Sequence, residues 1–232
     1  MAANPGFQLS LDLKGRPCLV LGGDEEAADK VERLLHAGAK VTVVSPTLNE
    51  PLRKLAAAAK ILHRGRTFQM TDAQGVSLVI NTLKGDVDFA KTLYELSLKE
   101  RFVLCSVDHP HESTAMLPAM VRQGHLRMAI STSGMAPALA GRLRQDLEPV
   151  FDQEFHAYLD WLGKLREEIL KSEEDAEKRR AVLKGAVEGF KLSAKIEYPK
   201  GWLEQRKKSW MPVFLIACRP IQPVLSVTSS HT

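Results

Sequence analysis

Residues 19–46 read LVLGGDEEAADKVERLLHAGAKVTVVSP. An apolar run, Leu19–Leu21, meets Gly22 and Gly23. A 3.6-residue pattern follows, with Ala27, Val31, Leu34 and Leu35 on one helix face, and Gly38 ends it. A second apolar run, KVTVVSP, closes the unit and is stopped by Pro46. A short continuous apolar segment ended by glycine and followed by a helix predicts a buried parallel strand and the first half of a β-α-β unit. Such a unit brings backbone N–H groups and a helix N-terminus together. That is an anion site of a size that suits a pyrophosphate.

The glycine loop departs from the G-x-G-x-x-A pattern at one place. Gly22 takes the first position and Ala27 the last, but Asp24 stands where the middle glycine is expected. Its side chain crowds a pyrophosphate and its charge opposes phosphates, and Glu25 and Glu26 add negative charge. Asp is also a favoured helix N-cap, and acids in a first turn suit the helix dipole. Capping and cofactor binding both remain open at this loop. The second strand ends at Ser45-Pro46-Thr47 with no acid to hold a ribose hydroxyl, so neither NAD nor NADP is favoured.

The alternation continues. LNEPLRKLAAAAK reads as a helix, ILHRGRTF as a short strand, GVSLVINTL as a strong strand, Asp86–Glu100 as a helix and RFVLCSVDHP as another strand. This predicts an α/β fold with a Rossmann-type parallel sheet covered on both faces. After Asp108 the texture changes to a short apolar segment, a turn at Gln123-Gly124, the strand LRMAIST and a helix starting in APALAGRLRQ. From Asp152 to about Lys195 the chain reads as charged helix. Phe155, Leu159, Leu162, Leu165 and Ile169 form its apolar face, and Glu167–Arg180 is a solvated run. The segment from Tyr198, with Trp202, Trp210, Pro212, Pro220 and Pro223, has no functional reading.

The bulk composition excludes several classes. The 232 residues are 44% hydrophobic and 26% charged with a net charge of +4, which is ordinary for a globular protein and gives no nucleic-acid footprint. Cys18, Cys105 and Cys218 are isolated, without metal-ligand or redox spacing, and fit a reducing cytosol. The N-terminal residues show no secretory pattern, and the late run MPVFLIAC is too short to span a bilayer. A cytoplasmic protein without membrane or nucleic-acid partners is expected.

Several stretches together carry a family resemblance: LDLKGRPCLVLGG, AGAKVTVVSPTLNEPLRKL, CSVDHP and, most specific, LPAMVRQGHLRMAISTSGMAPALAGRLRQDLE. From about Phe7 to Phe151 the chain resembles the precorrin-2 dehydrogenase family, the N-terminal module of siroheme synthase, in the form without a fused methyltransferase half. The resemblance implies NAD-dependent oxidation of precorrin-2 to sirohydrochlorin, with ferrous iron insertion as a further activity of some members. NAD is the implied cofactor, with NADP left open, and ferrous iron is the implied second substrate. It implies a Rossmann domain over 1–113, a dimerisation and substrate-binding segment over 114–150 and a helical domain over 151–197. That leaves 198–232 as a tail without a role. A homodimer acting on a tetrapyrrole small molecule is expected.

Site residues follow from matching the motifs. Asp108, at the carboxyl edge of the sheet, matches the family's proposed general base; on its own residues, Asp-His-Pro is equally a turn sequence. Cofactor contacts are expected from Gly22, Gly23, Asp24, Glu25, Glu26, Ser45, Pro46, Thr47 and Thr82. The Thr82 hydroxyl either meets ribose or phosphate or bonds its own backbone. Ser131, Thr132, Ser133, Gly134, Pro137 and Arg142 are expected to hold substrate carboxylates at a helix start. Asp108, His109 and His111 offer metal donors without a recognised spacing. The chain departs from the family pattern at Asp24, at Asp29-Lys30 where Arg-Lys is usual, at Cys105 for Asn and at Ser133 for Gly. Asp24 raises a rival reading, a tetrapyrrole-binding or chelatase-only protein with weakened NAD binding.

Overall fold

The computed structural model describes residues 6–202. Trp210, Pro212, Cys218, Pro220, Pro223 and the MPVFLIAC run lie outside the described residues. Those described fall into two compact units. One runs up to Pro118 and includes Ser133–Met135; the other comprises Ala119–Thr132 and the chain from Ala136 on.

The first unit holds a five-stranded sheet, β1 (Pro17–Leu21), β2 (Lys40–Val44), β3 (Leu62–Arg64), β4 (Leu78–Asn81) and β5 (Val103–Ser106), in the order β3-β2-β1-β4-β5. Every pairing is parallel. Strands joined this way need crossovers, supplied by α1 (Glu25–His36), α2 (Glu50–Ala57) and α3 (Val87–Glu100). Successive β1 side chains feed opposite faces. Cys18 and Val20 enter one core with Val31, Leu34 and Leu52, whereas Leu19 and Leu21 enter the other with Leu93, Phe102 and Leu104. Burying each large aliphatic side chain contributes about 1.5–3 kcal/mol. Truncating the fully buried Leu104 to Ala would cost roughly 2–5 kcal/mol.

Local chemistry sets the helix limits. α1 starts at the N-cap Asp24, presents Ala27, Val31 and Leu34 to the core, and stops before Gly38, whose φ of +74° suits glycine. Asn49 caps α2 and Asp86 caps α3 through side-chain oxygens. Burial pushes the Cys18 thiol up to about 11 and also raises that of Cys105, so both thiols stay protonated and inert.

The order 3-2-1-4-5 leaves a switch point between β1 and β4. The order in which successive strands are added reverses there, and a crevice opens at the carboxyl ends of the strands.

The second unit contains an antiparallel hairpin, β6 (Ala119–Gln123) with β7 (Leu126–Ile130), paired in register from Ala119↔Ile130 to Gln123↔Leu126. Its two-residue turn is Gly124-His125, with Gly124 at φ +53°. Three helices follow: α4 (Pro137–Leu147), α5 (Gln153–Ser172) and α6 (Ala176–Gly185). Ile169 is buried, and Phe155, Leu159, Leu162 and Leu165 are half-buried, in keeping with the apolar face expected for α5. Tyr158 stacks on Phe190 at 5.7 Å and donates its hydroxyl proton to the Ala186 carbonyl at 2.8 Å. The charged helical texture expected to about Lys195 ends earlier, at Gly185. Beyond it, Gly189 takes φ +85° and Lys191–Lys195 bury nothing, so nothing offsets the entropy of further helix there.

Candidate functional site

The crevice at the switch point is a cleft of ≈ 490 Å³. It is lined by Gly22, Gly23 and Asp24 after β1, by Thr47, Leu48 and Asn49 after β2, and by Thr82, Leu83 and Lys84 after β4. Five of the nine expected cofactor residues line it: Gly22, Gly23, Asp24, Thr47 and Thr82.

The two glycines are required by packing before any ligand is considered. Gly22 has φ +124°, and a Cβ there would overlap the Thr82 hydroxyl. A Cβ on Gly23 would overlap the Thr47 carbonyl oxygen and lie 2.7 Å from Ser45 Oγ. The loop is anchored on β2 and α2: Gly22 N–H donates to Val44 O at 3.2 Å, and Asn49 N–H donates to Gly23 O at 2.7 Å. Thr82 Oγ donates to Leu21 O at 2.9 Å. Its proton therefore goes to backbone, and only its lone pairs are left for a ligand.

Asp24 is the N-cap of α1. Its extended backbone (φ −92°, ψ −167°) lets Oδ1 accept from Ala27 N–H at 3.0 Å. The carboxylate thus sits on one of the helix-start donors that an incoming phosphate would use.

The acids that follow, Glu25 and Glu26, do not line the cleft. Glu26 pairs with Lys30 at 2.7 Å. Glu25 Oε2 accepts from Asn49 Nδ2 at 3.3 Å. Burial disfavours the Lys30 charge, but Asp29 and Glu26 outweigh it and raise its pKa. Burial likewise works against Asp29, and Lys30 and Arg33 outweigh it and lower its pKa. The Asp29-Lys30 pair is thus an ion network on α1. Ser45 is buried and Pro46 exposed, and neither lines the cleft.

Sequence reasoning missed Leu48, Asn49, Leu83 and Lys84. Asn49 was legible as a capping residue just before α2. Lys84, two residues beyond Thr82, is the sole cationic lining residue among the described residues and faces the same space as Asp24.

Asp108 lies two residues past β5, exposed, in the turn that leads to a 3-10 helix at Pro110–Glu112. His109 N–H donates to Ser106 O at 3.2 Å, and Ser113 Oγ bonds both Ser106 N–H (2.9 Å) and His109 O (3.0 Å). The turn is therefore built around Asp108 and leaves its carboxylate facing solvent. At the same edge Asn81 Nδ2, Ser106 Oγ and His109 Nε2 are buried without a partner among the described residues. Asn81 and Ser106 face each other across β4 and β5 in register. Among the described residues no three His, Cys, Asp or Glu side chains gather as a metal ligand set. Asp108, His109 and His111 share a turn, but the turn points them apart: His111 is exposed and the His109 Nε2 is buried.

The stretch 131–137 leads into α4. Thr132 Oγ1 accepts from Ala136 N–H at 3.1 Å. Ser133 (φ +52°) and Gly134 (φ +79°) are left-handed, and Pro137 opens the helix, whose N-cap Ala136 has no side-chain cap. Ser131 is exposed. Arg142 reaches along its own helix to Asp146, with Nε to Oδ2 at 3.0 Å and Nη2 to Oδ1 at 2.9 Å. Its fork is already occupied by a carboxylate of the chain.

Residues 9–119 match a family model described as putative NAD(P)-binding, and residues 123–148 match one described as sirohaem biosynthesis protein central. The siroheme synthase of Methylobacillus flagellatus is 31% identical over 179 residues, 77% of this chain and 38% of that protein. That of Nitrosospira multiformis is 30% identical over 231 residues, 93% of this chain and 48% of that protein. Siroheme synthase 3 of Aeromonas hydrophila is 35% identical, covering 68% of this chain and 33% of its own length. The chain thus spans between a third and a half of the length of these relatives. Among solved structures, "SirC, precorrin-2 dehydrogenase" superposes with a TM-score of 0.69 at 23% identity, covering 79% of this chain and 90% of that one. That likeness shows a shared fold. Among the described residues no helix is long and apolar enough to cross a membrane.

Proposed function

We propose that the chain, which is similar to siroheme synthases over part of their length, catalyses the NAD-dependent oxidation of precorrin-2 to sirohydrochlorin. The observation that carries this reading is the cleft at the β1–β4 switch point, lined by Gly22, Gly23, Thr47 and Thr82. It lies where an open parallel sheet receives a dinucleotide. The residues fit the cofactor in two respects: the glycine turn opens a helix start to an anion, and Lys84 brings a positive charge. They oppose it in one, because the Asp24 carboxylate holds Ala27 N–H and must swing away or share it.

NAD, when bound, supplies the hydride acceptor. The protein's share is to hold and to deprotonate. Oxidation removes a hydride and a proton from the tetrapyrrole and leaves a new double bond. Asp108 is the group assigned to the proton: a solvent-facing carboxylate in a braced turn at the carboxyl edge accepts it at an Oδ atom. Gly22, Gly23 and the start of α1 take the pyrophosphate. The stretch Ser131–Pro137 is assigned to substrate carboxylates, supported by the left-handed turn at Ser133-Gly134 and the start of α4 that follows it. Arg142 contributes there only by leaving Asp146. A homodimer is part of the proposal, supported by Leu139 and Leu143, exposed one turn apart on α4. Ferrous iron is assigned as a second substrate, with Asp108 as its first carboxylate contact.

Purified protein incubated with precorrin-2 and NAD tests the reading. Sirohydrochlorin absorbance growing in step with NADH supports it. Tetrapyrrole binding without NADH overturns the redox assignment in favour of the second reading, a binding or chelating protein, which Asp24 motivates. Iron insertion into supplied sirohydrochlorin, measured separately, decides the chelatase activity.

A further inference from the structure

Among the described residues the cleft is lined by one carboxylate, Asp24, and one ammonium, Lys84. The two stand on loops of unequal freedom. The glycine loop is fixed. Gly22 and Gly23 leave no room for a side chain, and Ala28 N–H donates to Asp24 O at 3.0 Å. Only the Asp24 side chain is left to turn. Its Oδ1 accepts from Ala27 N–H, and its Oδ2 has no partner among the described residues.

Lys84 comes from the loop between β4 and α3. That loop is pinned on both sides: Leu83 N–H donates to Asn81 Oδ1 at 3.1 Å, and Phe89 N–H donates to the α3 cap Asp86 at 2.9 Å. Between the pins lie Lys84 and Gly85. Gly85 has φ +80° and open space where a Cβ would stand, so packing does not lock this stretch. Lys84 is exposed and makes no hydrogen bond or ion pair among the described residues. The other cations of these loops and helices are already paired. Lys30 is held by Glu26 at 2.7 Å and Asp29 at 2.8 Å. Arg53 is held by Glu50 at 2.8 Å and by the Leu48 carbonyl at 2.9 Å. A lone exposed lysine is commonly a solvated charge and nothing more. Lys84 differs because it shares its cleft with a carboxylate that occupies a donor an anion needs. Giving up the cap bond costs stability, so that carboxylate leaves Ala27 readily only if a cation receives it.

We propose that Lys84 is a positioning residue for the cofactor. When a pyrophosphate reaches the start of α1, the Asp24 carboxylate leaves Ala27 N–H and pairs with the Lys84 ammonium. The helix donor is then open to a phosphate oxygen, and the negative charge of the loop is offset at the same moment. This rests on the dinucleotide reading of the cleft and adds to it the residue through which Asp24 is moved aside.

The test is a double-mutant cycle read by NAD titration, on wild type, Lys84→Met, Asp24→Asn and the double variant, with Lys84→Arg as the conservative control. Thermal melting checks that each is folded. Lys84→Met keeps the length of the side chain and removes its charge. It should weaken NAD roughly tenfold when Asp24 is present and less than about threefold in the Asp24→Asn background. Lys84→Arg should recover most of the loss, because the charge and the reach remain. Equal weakening in both backgrounds overturns the inference, since Lys84 would then act on the phosphates without Asp24. NAD binding by Lys84→Met as tight as by wild type overturns it too. If neither wild type nor Asp24→Asn binds NAD, the dinucleotide reading itself falls and this inference falls with it. If both bind and the two substitutions act independently, this inference alone falls.

Discussion

Asp24 gives the sharpest test of how this cleft works. Its Oδ1 accepts from Ala27 N–H at 3.0 Å, so a pyrophosphate arriving at the start of α1 meets a carboxylate on a donor it needs. A carboxylate about 5 Å from a phosphate charge repels it by roughly 0.8 kcal/mol in bulk water and by more in a partly dry cleft. Asp24 is exposed, so the lower end applies. Two phosphates then give about 1.5–2.5 kcal/mol, or roughly 10–70-fold in Kd.

Two variants separate the causes. Asp24→Asn keeps the shape and the capping oxygen and removes the charge. Asp24→Gly also removes the bulk, and losing the cap for Gly costs only a few tenths of a kcal/mol. Cofactor binding is measured by titration at low salt and again near 1 M, where the Debye length falls to about 3 Å. Both variants should tighten binding at low salt, Asp24→Gly the more, and the gain of Asp24→Asn should shrink at high salt. If neither variant tightens binding at low salt, the repulsion described for this loop is wrong. Asp24 is then a helix cap and nothing else.

Other consequences follow from the same geometry. Gly23→Ala drives a methyl into the Thr47 carbonyl and strains the Asn49-to-Gly23 bond. Relief requires backbone movement, so a loss of about 1–3 kcal/mol in chemical denaturation is expected together with loss of cofactor binding. Asp72→Asn removes charge-assisted bonds from a buried site and should cost roughly 2 kcal/mol, seen as a melting-temperature drop of about 4–8 °C. The Arg66 guanidinium, with Gln69 N–H and Arg64, holds the Asp72 carboxyl far below the usual range against the opposing effect of burial. A depressed folded-state pKa means that this stability is fully present above the unfolded value, near pH 4, and is lost as the pH falls from there towards the folded value. Acid melting curves of wild type should therefore fall more steeply below about pH 4 than those of Asp72→Asn. Asp108→Asn should lower kcat for precorrin-2 oxidation by about 10²–10⁴-fold with cofactor Kd unchanged. A loss below about tenfold would assign the proton to another group.

What the sequence determined by itself is the set of elements and their order. Strand and helix signals are local. LVLGG, KVTVV and LVIN are apolar runs ended by turn residues, and Ala27, Val31 and Leu34 repeat at helical spacing. Alternating strands and helices leave few topologies, so the parallel sheet and its carboxyl-edge crevice were legible, as were Gly22, Gly23, Thr47 and Thr82 on that crevice.

Tertiary structure alone decided which side chains meet. Asp24 could cap or could crowd a ligand, and only the backbone angles at the start of α1 put its oxygen on Ala27 N–H. Arg142 reads as a free guanidinium until α4 brings Asp146 within reach of it. Arg64, Arg66 and Asp72 show no motif, because their meeting depends on the register of β3 against β2 and on where the 3-10 turn Met70–Ala73 falls. Partners of that kind are set by packing across the fold. Propensity and periodicity act over a few neighbouring residues, and so carry no record of them.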